Sequence, residues 1–245
     1  MGLFDKLGMG GNTLFYLGCL TKFVGKDIGE KYKKIFLKIG IDFIQLKDLE
    51  VCCGSPILNS GHKKEAVELM EKNFDVFRKH GVKRIITACP ACYHMFEQTY
   101  PKYVKEWNIK VEHASQTIAK AIKEKKLNPK KLNMNITFHD PCHLGRYSNV
   151  YEEPRDVIKS VGEIKEMKLK KEYAYCCGGG SGVKSNYPQL ANAIAKERID
   201  MALETKADCL VTCCPMCYFN LKENTKKIKV KELSEIINIG DEDES

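Results

Sequence analysis

Ten of the twelve cysteines fall into two sets of the same form. The first is Cys19, then Cys52-Cys53, then Cys89-Pro90-Ala91-Cys92; the second is Cys142, then Cys176-Cys177, then Cys214-Pro215-Met216-Cys217. Matching positions are offset by 123, 124 and 125 residues, so the spacing drifts by single residues and the chain is a tandem duplication. The flanks repeat as well. Thr-Ala-Cys-Pro-Ala-Cys-Tyr at 87–93 matches Thr-Cys-Cys-Pro-Met-Cys-Tyr at 212–218, and a glycine follows each adjacent pair. Ile109-Lys110-Val111 and Ile228-Lys229-Val230 also recur, each followed four positions later by Ser115 or Ser234. The expected layout is an extension over 1–12, a first module over 13–124, a linker over 125–133, a second module over 134–239 and an acidic tail over 240–245.

Local patterns alternate in step with the cysteines. Short β-rich runs precede them at 13–17, 83–87, 135–138 and 208–212. Helical periodicity follows over 62–80, with Ala66, Leu69, Met70, Phe74 and Phe77 on one face, and over 187–203, with Leu190, Ile194, Ile199 and Leu203. Gly81 closes the first of these helices as a left-handed residue. The expected class is α/β: two small, mainly parallel modules related by a pseudo-twofold axis. In such sheets ligands sit beyond the carboxyl ends of strands, where these cysteines fall, and helix N-termini there favour an anionic centre.

Hydrophobic residues make up 43% and charged residues 29%, enough for a buried core and unlike a disordered tail. The formal net charge of +8 is spread along the chain. Its densest run, Lys123 to Lys126 with Lys130 and Lys131 around Asn128-Pro129, reads as a solvated linker in preference to a nucleic-acid patch. No apolar run reaches the ~18 residues of a membrane span. The opening residues lack a signal-peptide core, and Lys6 breaks a myristoylation pattern. The expectation is a cytoplasmic protein whose membrane association, if any, runs through partners. A reducing compartment disfavours disulfides and directs attention to metal or redox chemistry.

Five sulfurs per module have four readings. A structural zinc site needs four tetrahedral thiolates, and adjacent cysteines are awkward for one such ion because their side chains normally diverge. A thioredoxin-type dithiol accounts for CPAC and CPMC and leaves three further repeated cysteines without a role. Buried packing is ordinary for one cysteine but strains at ten matched positions. Soft thiolates select iron–sulfur clusters, and an extended cluster with bridging thiolates uses five sulfurs where a cubane needs four.

The pattern Cys–x32–Cys-Cys–x35–Cys-x-x-Cys, repeated as Cys–x33–Cys-Cys–x36–Cys-x-x-Cys, resembles the cysteine-rich CCG domain over roughly residues 13–235. Two tandem copies characterise the B-type subunit of heterodisulfide reductase and the catalytic part of its D-type counterpart. They also occur in iron–sulfur subunits associated with glycolate, lactate, glycerol-3-phosphate and some succinate dehydrogenases. The resemblance implies two 4Fe-4S clusters of non-cubane form. Cys19, Cys52, Cys53, Cys89 and Cys92 would ligate the first, and Cys142, Cys176, Cys177, Cys214 and Cys217 the second. It further implies cleavage of a disulfide between them, each cluster taking one sulfur.

The halves differ around the single cysteine. Only the second carries His139-Asp140-Pro141-Cys142-His143-Leu144-Gly145-Arg146-Tyr147. His139 and His143 are candidate proton donors to a released thiolate, against the alternative that they fix the loop through hydrogen bonds. Cys177-Gly178-Gly179-Gly180-Ser181-Gly182 lacks the lysine of a phosphate loop, and its glycines suit close backbone packing on a cluster. Arg146 is a candidate for a substrate anion or a solvated face. Cys209 and Cys213 have no counterpart in the first half and read as packing.

The chain has no C-x2-C-x2-C-x3-C-P ferredoxin run and no dinucleotide-binding GxGxxG. Electrons are therefore expected from a ferredoxin-like iron–sulfur subunit and a flavoprotein subunit, with no flavin or nicotinamide on this chain. The expected role is a disulfide-reducing subunit of an oxidoreductase. The alternatives are an electron-transfer subunit of a flavin-dependent 2-hydroxyacid, polyol or succinate dehydrogenase, and a zinc-stabilised scaffold.

Overall fold

The computed structural model describes residues 11–239, so the acidic tail and most of the expected amino-terminal extension lie outside the described residues. The first module runs β1 (Asn12–Tyr16), α1 (Cys19–Phe23), α2 (Lys26–Lys38), α3 (Ser55–Asn59), α4 (Lys63–Lys79), β2 (Val82–Thr87) and α5 (Pro90–His94). A π-helical turn, Met95–Thr99, carries α5 into α6 (Tyr100–Tyr103), followed by β3 (Lys110–His113) and α7 (Ala114–Lys123). The second module runs β4 (Asn135–His139), α8 (Glu152–Val161), β5 (Glu163–Ile164), α9 (Val183–Asn186), α10 (Pro188–Glu204), β6 (Cys209–Thr212), α11 (Pro215–Glu223) and β7 (Lys229–Glu232). A 3-10 turn, Leu233–Ile236, stands where α7 stands in the first module.

Both sheets are parallel throughout and share one topology. The first has the order β1-β2-β3, with Ile44 bridging to Leu14 on the free edge of β1. The second has the order β5-β4-β6-β7. Ile44 therefore occupies the place that β5 fills. All four residues of β6 are buried, as in a strand covered on both faces. Strands β3 and β7 are the repeated Ile-Lys-Val segments, too short and too lysine-rich to read as strands alone. The helix over 62–80 buries Ala66, Met70, Asn73, Phe74 and Phe77, and Gly81 follows it at φ 61°. Helix α10 departs from expectation. It buries Ala191, Ala195, Arg198, Ile199 and Ala202, while Leu190 is exposed, because the small side chains allow close packing against α11 and the Gly178 loop.

The modules contact each other reciprocally. Helix α2 packs on the second module's turn after β7, and α8 packs on the first module's α7 after β3. Likewise α1 meets α11, while the loop after β4, the counterpart of α1, meets α5 through His94 and Ser148. Each patch thus contacts the equivalent of its own partner, the arrangement a pseudo-twofold axis produces. The segment over 125–133 is a strap along this seam. Leu127 is buried, the Lys130 N–H reaches the Asn238 carbonyl, and Lys131 Nζ donates to the Lys159 carbonyl at 2.8 Å. No helix among the described residues is long and apolar enough to cross a membrane.

Candidate metal centres

Parallel strands deliver the cysteines. Strands β1, β2, β4 and β6 end at Tyr16, Thr87, His139 and Thr212, and the next few residues of each carry Cys19, Cys89, Cys142 and Cys214. Cys89 caps α5 and Cys214 caps α11, each with proline at the first helical position. The Cys89 thiol is shifted down from its ordinary value, first by the neighbouring Cys92 thiol and then by the backbone N–H groups of Cys92 and Ala91 at the helix start. The adjacent pairs come in on loops whose backbone serves the same end. Gly54 N–H lies 3.4 Å from Cys52 Sγ, Gly178 N–H 3.3 Å from Cys176 Sγ, and Gly179 N–H 3.4 Å from Cys177 Sγ.

Within each module the five sulfurs form one connected chain. Each thiol's ionisation is governed by the next one along: Cys19 by Cys52, Cys52 by Cys53, Cys53 by Cys92 and Cys92 by Cys89. The second module repeats that order with Cys142, Cys176, Cys177, Cys217 and Cys214. The neighbouring Cys52 and Cys92 thiols pull Cys53 down to about 5, and the neighbouring Cys142 and Cys177 thiols pull Cys176 down to about 2. Cys53, Cys92, Cys177, Cys214 and Cys217 are buried, whereas Cys19 is exposed and Cys52, Cys89, Cys142 and Cys176 are partly so.

Several features fit an anionic, thiolate-held group. Gly18, at φ 75°, has no room for a side chain: a Cβ there would stand 3.2 Å from Cys92 Sγ and 3.7 Å from Cys89 Cβ. Gly178, at φ 80°, passes so close to α10 that a Cβ would meet the Ala191 carbonyl at 2.6 Å. In the second module, Arg198 is fully buried with no carboxylate partner among the described residues, and its Nη2 has no hydrogen bond. A buried cation demands compensating negative charge, and Asp140 is its largest source, followed by the Cys217 and Cys177 sulfurs and Glu166, so a thiolate-held anionic group at those sulfurs would add to it. Such a donor set matches soft-metal and iron–sulfur ligation.

Glu50 steadies the first centre. Its carboxylate accepts from the N–H groups of Leu17 at 3.3 Å and Gly18 at 3.0 Å, and burial pushes its pKa up to about 7. Asp140 steadies the second. It takes two bonds from Arg155, at 2.7 and 2.9 Å, and one from the Lys171 N–H at 2.9 Å, so β4, α8 and the loop before Cys176 are tied together.

The two candidate histidines sit differently. His139 is fully buried and accepts at Nδ1 from Arg198 Nε at 3.0 Å. A ring nitrogen of His139 and the sulfurs of Cys177 and Cys217 lie within 4.8 Å of one another. His143 is half-buried, with Nδ1 3.5 Å from Cys142 Sγ. Around it gather Tyr147 at 5.1 Å and, from the first module, His94 at 6.0 Å between ring centroids. Arg146 is engaged with the protein itself, donating to the Ala174 carbonyl at 2.6 Å. Cys209 starts β6 at the end remote from Cys214, and Cys213 is buried beside His113 and Glu232, so neither joins a thiol chain.

Sequence reading missed His94, Arg198, Glu50 and the buried pair His113 and Glu232, which end the equivalent strands β3 and β7. A signal was present for His94, two residues beyond the CPAC motif. Arg198 carried none beyond its place on a helix.

The model of the cysteine-rich domain CCG matches residues 13–97 and 136–222. The D-type subunit of the dihydromethanophenazine:CoB–CoM heterodisulfide reductase of Methanosarcina mazei is 33% identical over 226 residues, covering 89% of this chain and 55% of the relative. The B-type subunit of fumarate reductase (CoM/CoB) of Methanothermobacter marburgensis is 31% identical over 250 residues, covering 99% and 50%. EtfAB:quinone oxidoreductase of Syntrophomonas wolfei is 32% identical over 239 residues, covering 93% and 33%. The chain thus spans about half the length, or less, of these relatives. Two matched segments, each drawing five sulfurs to the carboxyl ends of its own parallel sheet, place this chain in the CCG cysteine-rich domain family, with the domain present twice.

Proposed function

We propose that this chain is the iron–sulfur portion of an oxidoreductase that reduces a disulfide between two 4Fe-4S centres. Cys19, Cys52, Cys53, Cys89 and Cys92 hold one, and Cys142, Cys176, Cys177, Cys214 and Cys217 hold the other. The observation that carries the reading is the reciprocal packing of two equal thiol arrays, each single-cysteine segment lying against the other module's CxxC helix. Similarity to one of the heterodisulfide reductase polypeptides supports it. When bound, the pair of clusters would supply electrons one at a time and an iron for each sulfur.

The chain's own residues supply the rest. Cleaving a disulfide to two thiols consumes two electrons and two protons. Buried thiolates under backbone N–H groups hold the centres, and His94, His143, Tyr147 and Ser148 line the seam between them. His143, beside Cys142, is placed to pass a proton to a thiolate product. Electrons come from a ferredoxin-like or flavin-bearing component.

A second reading is a conduit toward a quinone, favoured by the similarity to EtfAB:quinone oxidoreductase and by the exposure of Cys19. One experiment separates them. The anaerobic protein is reduced with a low-potential donor and mixed with a heterodisulfide and with simple disulfides. Stoichiometric thiol release with reoxidation of the centres is the expected result. Centres that ignore every disulfide yet are oxidised by a quinone analogue would establish the conduit.

A further inference from the structure

Two buried nitrogens beside the second thiol array have no hydrogen-bond partner: His139 Nε2 and Arg198 Nη2. Their neighbours within the same side chains are committed. Arg198 Nε donates to His139 Nδ1 at 3.0 Å, and Nη1 donates to the Leu169 carbonyl at 2.8 Å. A guanidinium has five donors, no acceptor and no accessible neutral form. His139 Nδ1 must therefore offer its lone pair, and the single ring proton must sit on Nε2. That orphaned N–H belongs to a ring held, through one of its nitrogens, within 4.8 Å of the Cys177 and Cys217 sulfurs.

The first module has no such device. Tyr16 ends β1 where His139 ends β4, and Asn73 stands on α4 where Arg198 stands on α10. Both are neutral and both are satisfied. The Tyr16 hydroxyl donates to the Val51 carbonyl, and the Asn73 amide donates to the Cys52 carbonyl and the Tyr100 hydroxyl, each at 2.9 Å.

Resting on the iron–sulfur reading above, the geometry points to His139 as a fixed Nε2–H donor to a sulfur of the second centre, with Arg198 as the positioning residue that sets its tautomer. The pair makes the second centre the more easily reduced of the two. An added electron increases the negative charge on a centre, and a buried cation with an N–H···S bond stabilises that charge. His139 in this tautomer has no lone pair at Nε2 and cannot ligate iron there. Nor does it form an imidazolium, whose Nδ1–H would face the Arg198 donor. Proton delivery then falls to His143.

The test is a redox titration of the anaerobic holoprotein followed by EPR, with histidine labelled with 15N. Two centres should titrate apart, and loss of one signal in Cys177→Ala identifies the second. That signal should show weak 15N coupling and the higher potential. His139→Phe and Arg198→Met should each cut its reduced-to-oxidised ratio at the native midpoint at least tenfold, about 59 mV for a one-electron couple. Iron content and the first centre should not change. His139→Gln, whose amide can accept from Arg198 and donate onward, should restore most of the potential.

Strong 15N coupling, or loss of iron in His139→Phe, would make His139 a ligand and overturn the inference. So would potentials that ignore all three substitutions. If Arg198→Met does not fold, loss of that 15N coupling in His139→Gln, where His143 beside Cys142 is still labelled, decides alone; coupling that persists there overturns the inference. Protein without iron and sulfide removes the underlying reading instead, an outcome the iron assay distinguishes.

Discussion

Arg155 and Tyr32 stand at the same place in their modules, thirteen residues after Cys142 and Cys19. Arg155, 2% exposed, spends its guanidinium on Asp140 and on Glu166, the latter at 2.7 and 3.1 Å. Removing one partner of such a buried pair leaves an uncompensated charge. Arg155→Ala should cost about 3–5 kcal/mol in denaturant unfolding, and it should loosen the Cys142 loop that Asp140 anchors. A cost below about 1 kcal/mol would show that water reaches the pair. The cysteines give a sharper contrast at this scale. Cys177→Ala should lose one centre's iron and Cys209→Ala none, because only Cys177 lies within a thiol chain; Cys209, its pKa pushed up to about 11 by burial, fills the core. Equal losses in the two variants would break the five-plus-five assignment. The duplication of the cysteines was legible from spacing because a repeated module repeats its motif at a nearly constant offset. Arg198 was illegible because its role comes from the direction in which α10 faces, which alanines at 191, 195 and 202 decide.

Elements meet across the module seam through single bonds that sequence does not announce. The Tyr32 hydroxyl of α2 donates to Glu232 Oε1 at the end of β7 at 2.7 Å, and both are fully buried. Tyr32→Phe deletes that donor and leaves a buried carboxyl short of a partner, at a cost of about 1–3 kcal/mol. Glu232 also sets a pH dependence. Burial is the largest cause lifting its pKa from 4.5 to about 7. A carboxyl that holds its proton more tightly when folded gives stability that falls as pH rises from about 4.5 through about 7. Glu232→Gln should therefore gain melting temperature relative to the native protein across that window. A difference that stays flat with pH would mean that Glu232 is already ionised in the fold. Strands β1, β2, β4 and β6 were readable within a residue or so, since their apolar runs end at the cysteine motifs. Strands β3 and β7 were not, because they are short and rich in lysine, and helices α2, α7 and α8 were not, because they pack against the opposite module.

At the scale of the molecule, duplication explains both the likeness and the difference of the halves. Two copies of one parallel unit packed reciprocally bring their strand ends to a common seam, and the thiol arrays come with them. Symmetry then breaks in the surroundings. The first array is backed by Tyr16, Phe96, Tyr100 and Trp107, with ring centroids 4.8 to 4.9 Å apart, and the second by His139 and Arg198. The tandem plan and the parallel class were legible in the cysteine offsets. The reciprocal seam was not, because it is a property of packing. Two thiolate-held iron–sulfur centres are the core of the proposed function, and metal analysis of protein purified without oxygen tests them most directly. The expected result is about eight irons and about eight acid-labile sulfides per chain, four of each per module. Stoichiometric zinc with no labile sulfide would contradict it.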